Sequence, residues 1–393
     1  MNYLLFDGNS RQSFLPLTYT KPIAELRIGI LTVKEKWDLY LKTVCSYDTV
    51  SYLQEKYSKV LGDKNIFINA CILPNQQLAE SIHSLSAGQA LYYKNLLVAY
   101  CCNKQEESVE ISEYQHISYI HQLSHLSKVT DFFLLNSQEI EADFELMTKG
   151  RTSEPIPKGV QTINEEQIFI EEGVKVLFSS LNASEGAIYI GSNATIMEGC
   201  HVRGPFSLGS NSTLKMGAKI YGGTTIGPHS KIGGEVSDSI VMGYSNKGHD
   251  GYLGNAVVGE WCNFGAGSTN SNLKNNYSNV KLWNYQLNDY KDTQLKFCGL
   301  IMGDYSKLGI NTSINTGTVI GACVSYAGGG VPKKFLPSFS WANGSSNAVY
   351  DFKKAMGTAK IVMGRRNIPF KIEDFAILKK VFEQTAKYRE ENL

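Results

Sequence analysis

His249 sits in a glycine-flanked run, Lys247-Gly248-His249-Asp250-Gly251. A histidine on such a turn suits the removal of a proton from an attacking nucleophile near neutral pH. Sixteen residues on, Gly265-Ala266-Gly267 offers backbone N–H groups that can face an oxyanion. Attack of a nucleophile on a carbonyl calls for both. A second candidate lies at the start of the chain, where Gly8 follows the apolar run Leu4-Leu5-Phe6 and precedes Arg11, Pro16-Leu17-Thr18 and Lys21-Pro22. A glycine turn at the end of a strand lets backbone amides approach a phosphate, and Arg11 and Lys21 supply compensating charge. His121 and His125 stand four apart with no third ligand or carboxylate in the pattern, so no metal site is assigned.

The elements that must hold these residues show in a repeat. Aliphatic residues recur every sixth position at Ile190, Ile196, Val202, Leu208, Leu214, Ile220, Ile226 and Ile232. A small residue precedes most of them by two, as at Ala194, Cys200, Ser212 and Ala218, and glycine follows at 191, 209, 227 and 233. A helix needs a period of 3.6 and an ordinary strand a period of 2, so six fits neither. It fits a parallel β-helix in which three hexapeptides make a coil, with residues 190, 208 and 226 stacked in one interior ladder. The rhythm breaks over 235–250 and again over 270–297, then resumes through Met302, Leu308, Ile314 and Ile320. Such breaks are expected as loops off a coil, where function gathers.

Residues 1–150 read differently. Leu4–Phe6 and Ile66–Ile68 predict buried strands, and Val33–Leu41, Gln76–Leu85 (Asn75 as N-cap) and Ser137–Met147 predict helices, which together imply an α/β domain on a mainly parallel sheet. Residues 151–159, with two prolines, form the expected linker; residues 160–335 form the solenoid; and 336–393 form an extension with an amphipathic helix over Pro369–Arg389. Over the 393 residues, 38 Lys and Arg against 37 Asp and Glu leave a charge of +1, which offers no field for nucleic acid or an acidic membrane. No run of about 18 apolar residues appears. With 42% hydrophobic residues the chain is globular, and eight scattered Cys without a CxxC pair suggest a reducing, cytoplasmic setting.

Two resemblances follow. The opening strand, Gly8 turn with Arg11, Pro16-Leu17-Thr18 and Lys21-Pro22 resemble the sugar-nucleotide pyrophosphorylases, which implies a reduced, Rossmann-like nucleotidyltransferase domain binding a nucleoside triphosphate through Gly8, Arg11 and Lys21, with Mg²⁺ if it is active. No Gly-Asp-x-Pro metal motif follows; Asn69 to Pro74 is its nearest counterpart and carries no carboxylate. The stretch Lys247 to Ala256, with Asn263-Phe264-Gly265-Ala266-Gly267 and Asn272, resembles the acetyltransferase half of the bifunctional bacterial enzymes that acetylate glucosamine-1-phosphate and uridylylate the product. That resemblance implies a left-handed parallel β-helix, a homotrimer whose sites lie between neighbouring solenoids, and acetyl-CoA as donor. It casts His249 as base, Tyr252, Asn263, Asn272 and Lys215 as contacts to the amino-sugar phosphate, and Ala266 and Gly267 as neighbours of acetyl-CoA. Lys215 stands where that family has an arginine, and Ser237 where it has a lysine. Nucleotidyl transfer alone, and a non-catalytic trimeric scaffold, remain open as alternatives.

Overall fold

In the computed structural model, which describes residues 1–103, 110–328, 330–343 and 347–392, the chain divides into two units. One takes in residues 1–14, 20–26 and 31–128. The other takes in 15–19, 27–30 and everything from Val129 onward.

The first unit is built on a six-stranded sheet. Its strands are β1 (Asn2–Phe6), β2 (Ser46–Asp48), β3 (Lys64–Asn69), β4 (Gln89–Tyr93), β5 (Leu96–Asn103) and β6 (Gln115–Ser118), in the order β2-β1-β3-β5-β4-β6. Three of the five pairings are parallel, β2 with β1, β1 with β3 and β4 with β6; β5 runs antiparallel to both neighbours because it returns from β4 through a tight turn. Both predicted strands are there, Leu4 and Leu5 and the run Ile66–Ile68 being buried on them. Helix α1 (Val33–Leu41) begins at Thr32, whose hydroxyl accepts from the Glu35 N–H while the Glu35 carboxylate accepts from the Thr32 N–H, a reciprocal capping box. Helix α2 (Gln76–His83) starts where Asn75 accepts from the Leu78 N–H at 2.8 Å, as the sequence indicates.

The second unit is a solenoid of three parallel sheets. Face A starts with Gln161–Ile163, face B with Ile168–Ile170 and face C with Lys175–Val176, and later coils add short parallel strands in register to these faces. The interior ladder is as the period requires: Ile190 pairs in register with Leu208 and Leu208 with Ile226, all fully buried. Glycine is needed where a coil supports the next one's left-handed corner. A Cβ on Gly267 would lie 2.2 Å from the Asn311 Oδ1, and Asn311 itself has φ 53°.

The two breaks in the hexad rhythm differ in kind. Around residues 235–250 no loop leaves the coil; the coil is shortened, since Ile226 pairs with Val241 and Ile232 with Lys247. Dropping residues at the corners keeps the faces paired while shifting the sequence period. The second break is a true excursion: Val258 pairs with Met302, and the intervening chain carries a two-stranded hairpin of Lys281–Asn284 and Asp289–Asp292.

Helix α3 (Asp131–Thr148) belongs to the solenoid unit. Its Asn136 Oδ1 accepts from the Gly29 N–H at 2.8 Å and its Nδ2 donates to the Gly223 carbonyl at 2.8 Å, and its Glu141 accepts from the Ala187 N–H. At the far end come α4 (Phe352–Gly364), α5 (Ile372–Gln384) and α6 (Ala386–Asn392). The predicted final helix is broken at Thr385, whose hydroxyl donates back to the Val381 carbonyl at 2.7 Å. Arg389 is buried there, donating to the Ser338 and Phe382 carbonyls. Among the described residues no helix is long and apolar enough to cross a membrane.

Candidate active site

Face C carries an outward column of polar side chains in successive coils. Lys231 pairs in register with Asn246, Asn246 with Asn263 and Asn263 with Lys307, and each directly precedes an interior residue. Two residues earlier in each coil, at the corner between faces B and C, stand His229, Tyr244, Trp261 and Tyr305. All four have positive φ, which turns their rings outward into one stack with centroids 4.9, 4.3 and 6.2 Å apart. The opposite corner, between faces C and A, carries Lys215, His249 and Ala266. Over the column lies the end of α4, held by the Tyr305 hydroxyl donating to the Met363 sulfur at 3.4 Å and by Arg366 donating to the Asn246 Oδ1 at 3.0 Å.

The groove has a volume of about 700 Å³. Lys215, Lys231, Lys307, Arg365 and Arg366 all line it, beside Tyr244 and Trp261, and no carboxylate is among its described lining residues. A polyanion with a flat ring is the ligand such a lining suits. Burial pushes the Lys307 ammonium below the ordinary lysine range, and it donates to the Tyr305 carbonyl at 2.9 Å.

Four of the residues singled out from sequence meet on this groove: Lys215, His249, Asn263 and Ala266. Gly267 lies one residue outside the lining. Tyr252 and Asn272 are placed elsewhere. Tyr252 lies on face A with its hydroxyl curled over Gly254, accepting from the Asn272 Nδ2 at 3.0 Å, and the same Nδ2 reaches the Asn255 Oδ1 at 2.7 Å. Ser237 donates to Asp238 and contributes no charge. The cations at 231, 307, 365 and 366 and the ring stack escaped the sequence reading. The outward position next to each interior residue was the signal for the first two, but nothing in the hexad pattern announces the two arginines.

The glycine turn of the first unit has a different character. Gly8, at φ 53°, opens a short 3-10 helix over Gly8–Phe14. Arg11 is 7% exposed and Lys21 3%. The Arg11 guanidinium lies 3.5 Å from the Asp7 carboxylate and donates to the Tyr52 hydroxyl at 2.8 Å. Asp7 accepts from the Ile23 N–H at 2.8 Å through one oxygen and from the Thr49 hydroxyl through the other. Burial raises its carboxyl above the usual range, against those hydrogen bonds and the Arg11 charge. Among the described residues no cluster of three His, Cys, Asp or Glu side chains fits a metal.

Residues 3–152 match the family described as sugar nucleotidyl transferase. This first part of the chain is thus similar to a sugar nucleotidyl transferase domain. The matched stretch takes in all but the first two residues of the first unit and also α3, which belongs to the second. Among curated proteins, the chain is similar to the bifunctional sugar-1-phosphate nucleotidylyltransferase/acetyltransferase of Sulfurisphaera tokodaii, 32% identical over 155 residues, which are 39% of this chain and 36% of that one. It is also similar to the bifunctional protein GlmU of Methanocaldococcus jannaschii, 33% identical over 88 residues, 22% of this chain and 21% of the relative. The chain thus spans little more than a third of the one relative and a fifth of the other. A solved structure, that of an Arabidopsis UDP-N-acetylglucosamine acyltransferase, aligns over 54% of this chain and 80% of its own at 13% identity and a TM-score of 0.27.

Proposed function

We propose that the groove on face C transfers an acetyl group from acetyl-CoA to the amine of an amino-sugar phosphate, glucosamine-1-phosphate first among them. The observation that carries this reading is the position of His249 at the rim of a groove whose five cations face no carboxylate among the described lining residues. The cations and the Tyr244–Trp261 stack suit the phosphorylated, adenine-bearing donor. Lys215 and Asn263 suit a phosphorylated sugar.

In the proposed reaction the imidazole of His249 accepts the proton of the amine as its nitrogen attacks the thioester carbonyl. The C–N bond forms, backbone N–H groups near Ala266 face the developing oxyanion, and the C–S bond breaks. The imidazolium then returns its proton to the departing thiolate, so that proton and charge balance. Tyr252, on face A, and Asn272, hydrogen-bonded to it, would serve a site shared with a neighbouring solenoid in a homotrimer. Light scattering at micromolar concentration tests the assembly, and a monomer would remove that role. The test of the reaction is acetyl-CoA consumption with a panel of amino-sugar phosphates. Near wild-type turnover by His249→Ala would end the reading.

A second reading is supported by the family match: the first unit binds a nucleoside triphosphate through Gly8, Arg11 and Lys21. The phosphate must compete with Asp7 for Arg11, and no metal-dependent step is derived for this unit. Calorimetry with UTP and dTTP on wild type and Arg11→Ala tests it. Both readings place the protein in the cytoplasm, where sugar phosphates and acetyl-CoA are supplied.

A further inference from the structure

Lys247 occupies a place where the solenoid otherwise stores apolar side chains. On face C the interior ladder runs through Ile196, Leu214 and Ile232, and Ile232 pairs in register with Lys247. The next coil places Phe264 in the core and the following one Leu308. Lys247 is 3% exposed. A lone ammonium inside such a stack would be strongly destabilising.

It is not alone. Its Nζ donates to the carbonyls of Gly233 at 3.2 Å, His249 at 3.0 Å and Gly251 at 2.6 Å, one acceptor for each N–H of an ammonium. Two of those three carbonyls lie in the turn that carries His249, and one is the carbonyl of His249 itself. The turn is also tied at its base, where the Gly233 N–H donates to the Lys247 carbonyl at 2.7 Å. Gly251 holds φ 123°, a conformation closed to other residues, and a Cβ there would strike the Ser268 carbonyl at 2.1 Å. Burial lowers the Lys247 ammonium to about 8, and Asp250 is the charge that works against that fall.

We infer that Lys247 is a positioning residue: from inside the coil its ammonium gathers the carbonyls at 233, 249 and 251 and so fixes the turn that presents His249 to the groove. The charge acts on backbone and leaves the groove itself untouched. The inference rests on the acetyl-transfer reading only for its effect on rate; its effect on the turn stands independently.

Two measurements separate the two. In Lys247→Met, which keeps the volume of the ladder and removes the charge, amide hydrogen exchange is read at Glu235 and Tyr252. The first donates to the Gly251 carbonyl at 3.3 Å and the second to the Thr269 hydroxyl at 3.2 Å, both where the turn rejoins face A. Exchange at both is expected to rise about tenfold or more, with the coils below 230 unchanged; unchanged exchange at both overturns the inference. In the same variant kcat for acetyl transfer is expected to fall about 10- to 100-fold with the KM for acetyl-CoA unchanged, the mark of a displaced base. A wild-type kcat overturns the role toward His249. Absence of acetyl transfer in the wild type overturns the functional reading and leaves the exchange experiment decisive for the turn. If Lys247→Met does not fold, Lys247→Gln, which keeps two N–H donors, is read in the same way, and failure of both to fold overturns the inference by making the residue a requirement of the core.

Discussion

Two regions of this chain hold basic residues beside a glycine turn, and they use them in opposite ways. Arg11 in the first unit lies against Asp7, and Asp7 is in turn tied to Ile23 and Thr49, so the charge is spent within the fold. In the solenoid unit, Lys215, Lys231, Lys307, Arg365 and Arg366 line one groove whose described lining contains no acid. A cation beside a flexible turn therefore says little about ligand until its counter-charge is located. In water-poor surroundings an adjacent carboxylate competes directly with any phosphate.

The largest effect that would break this contrast is at His249. His249→Ala is expected to lower kcat for acetyl transfer by about 10²- to 10⁴-fold with little change in the KM for acetyl-CoA, as measured by thiol release. A smaller loss belongs to the groove's roof. Charge-assisted hydrogen bonds contribute about 1.5–3 kcal/mol each when well made, so replacing Arg365 and Arg366 together by alanine should raise the KM for acetyl-CoA about tenfold or more while the acceptor KM holds. An unchanged donor KM would mean that the roof arginines, like Arg11, are structural.

Arg11→Ala should weaken binding of a nucleoside triphosphate by only about fivefold, because the wild-type guanidinium must first leave Asp7. Lys215→Ala, in the other unit, serves as the control and should leave that affinity unchanged. Equal affinity of Arg11→Ala and wild type in calorimetry would remove the nucleotide reading of the first unit.

The solenoid was legible because its period is written in residues that all face inward: Ile190, Leu208 and Ile226 stack as the hexad count demands. The groove was legible only in part. Its floor residues Lys231, Asn246, Asn263 and Lys307 are neighbours in register but are separated in sequence by irregular gaps, since one coil is shortened and the next is interrupted by the excursion. A fixed period cannot find them. Arg365 and Arg366 arrive from a helix outside the repeat, and the sequence pattern of that helix speaks only of its buried face. Tyr252 and Asn272 illustrate the converse: motif spacing groups them with His249, yet strand geometry sends Tyr252 to a different face.

The smallest effect sharpens the contrast by setting Lys247, a cation consumed inside the solenoid unit, against the groove's cations. Burial lowers Lys247 to about 8 in the folded protein, whereas an exposed lysine of the unfolded chain titrates near ~10.4. Below pH 8 both states hold the proton and the folded state carries the cost of desolvation. Between the two values the folded state has released its proton while the unfolded state keeps it, so the unfolded state binds more protons and stability rises with pH. Thiols such as Cys71 and Cys262, which burial raises to about 12, work in the opposite sense at high pH, so the comparison is made against Lys247→Met, which shares them. The unfolding free energy of wild type relative to Lys247→Met should therefore increase by about 1 kcal/mol from pH 7 to pH 9 in urea titrations. A difference that stays flat across this range would show that Lys247 keeps its proton throughout, and that the three carbonyls at 233, 249 and 251 hold the ammonium more strongly than burial disfavours it.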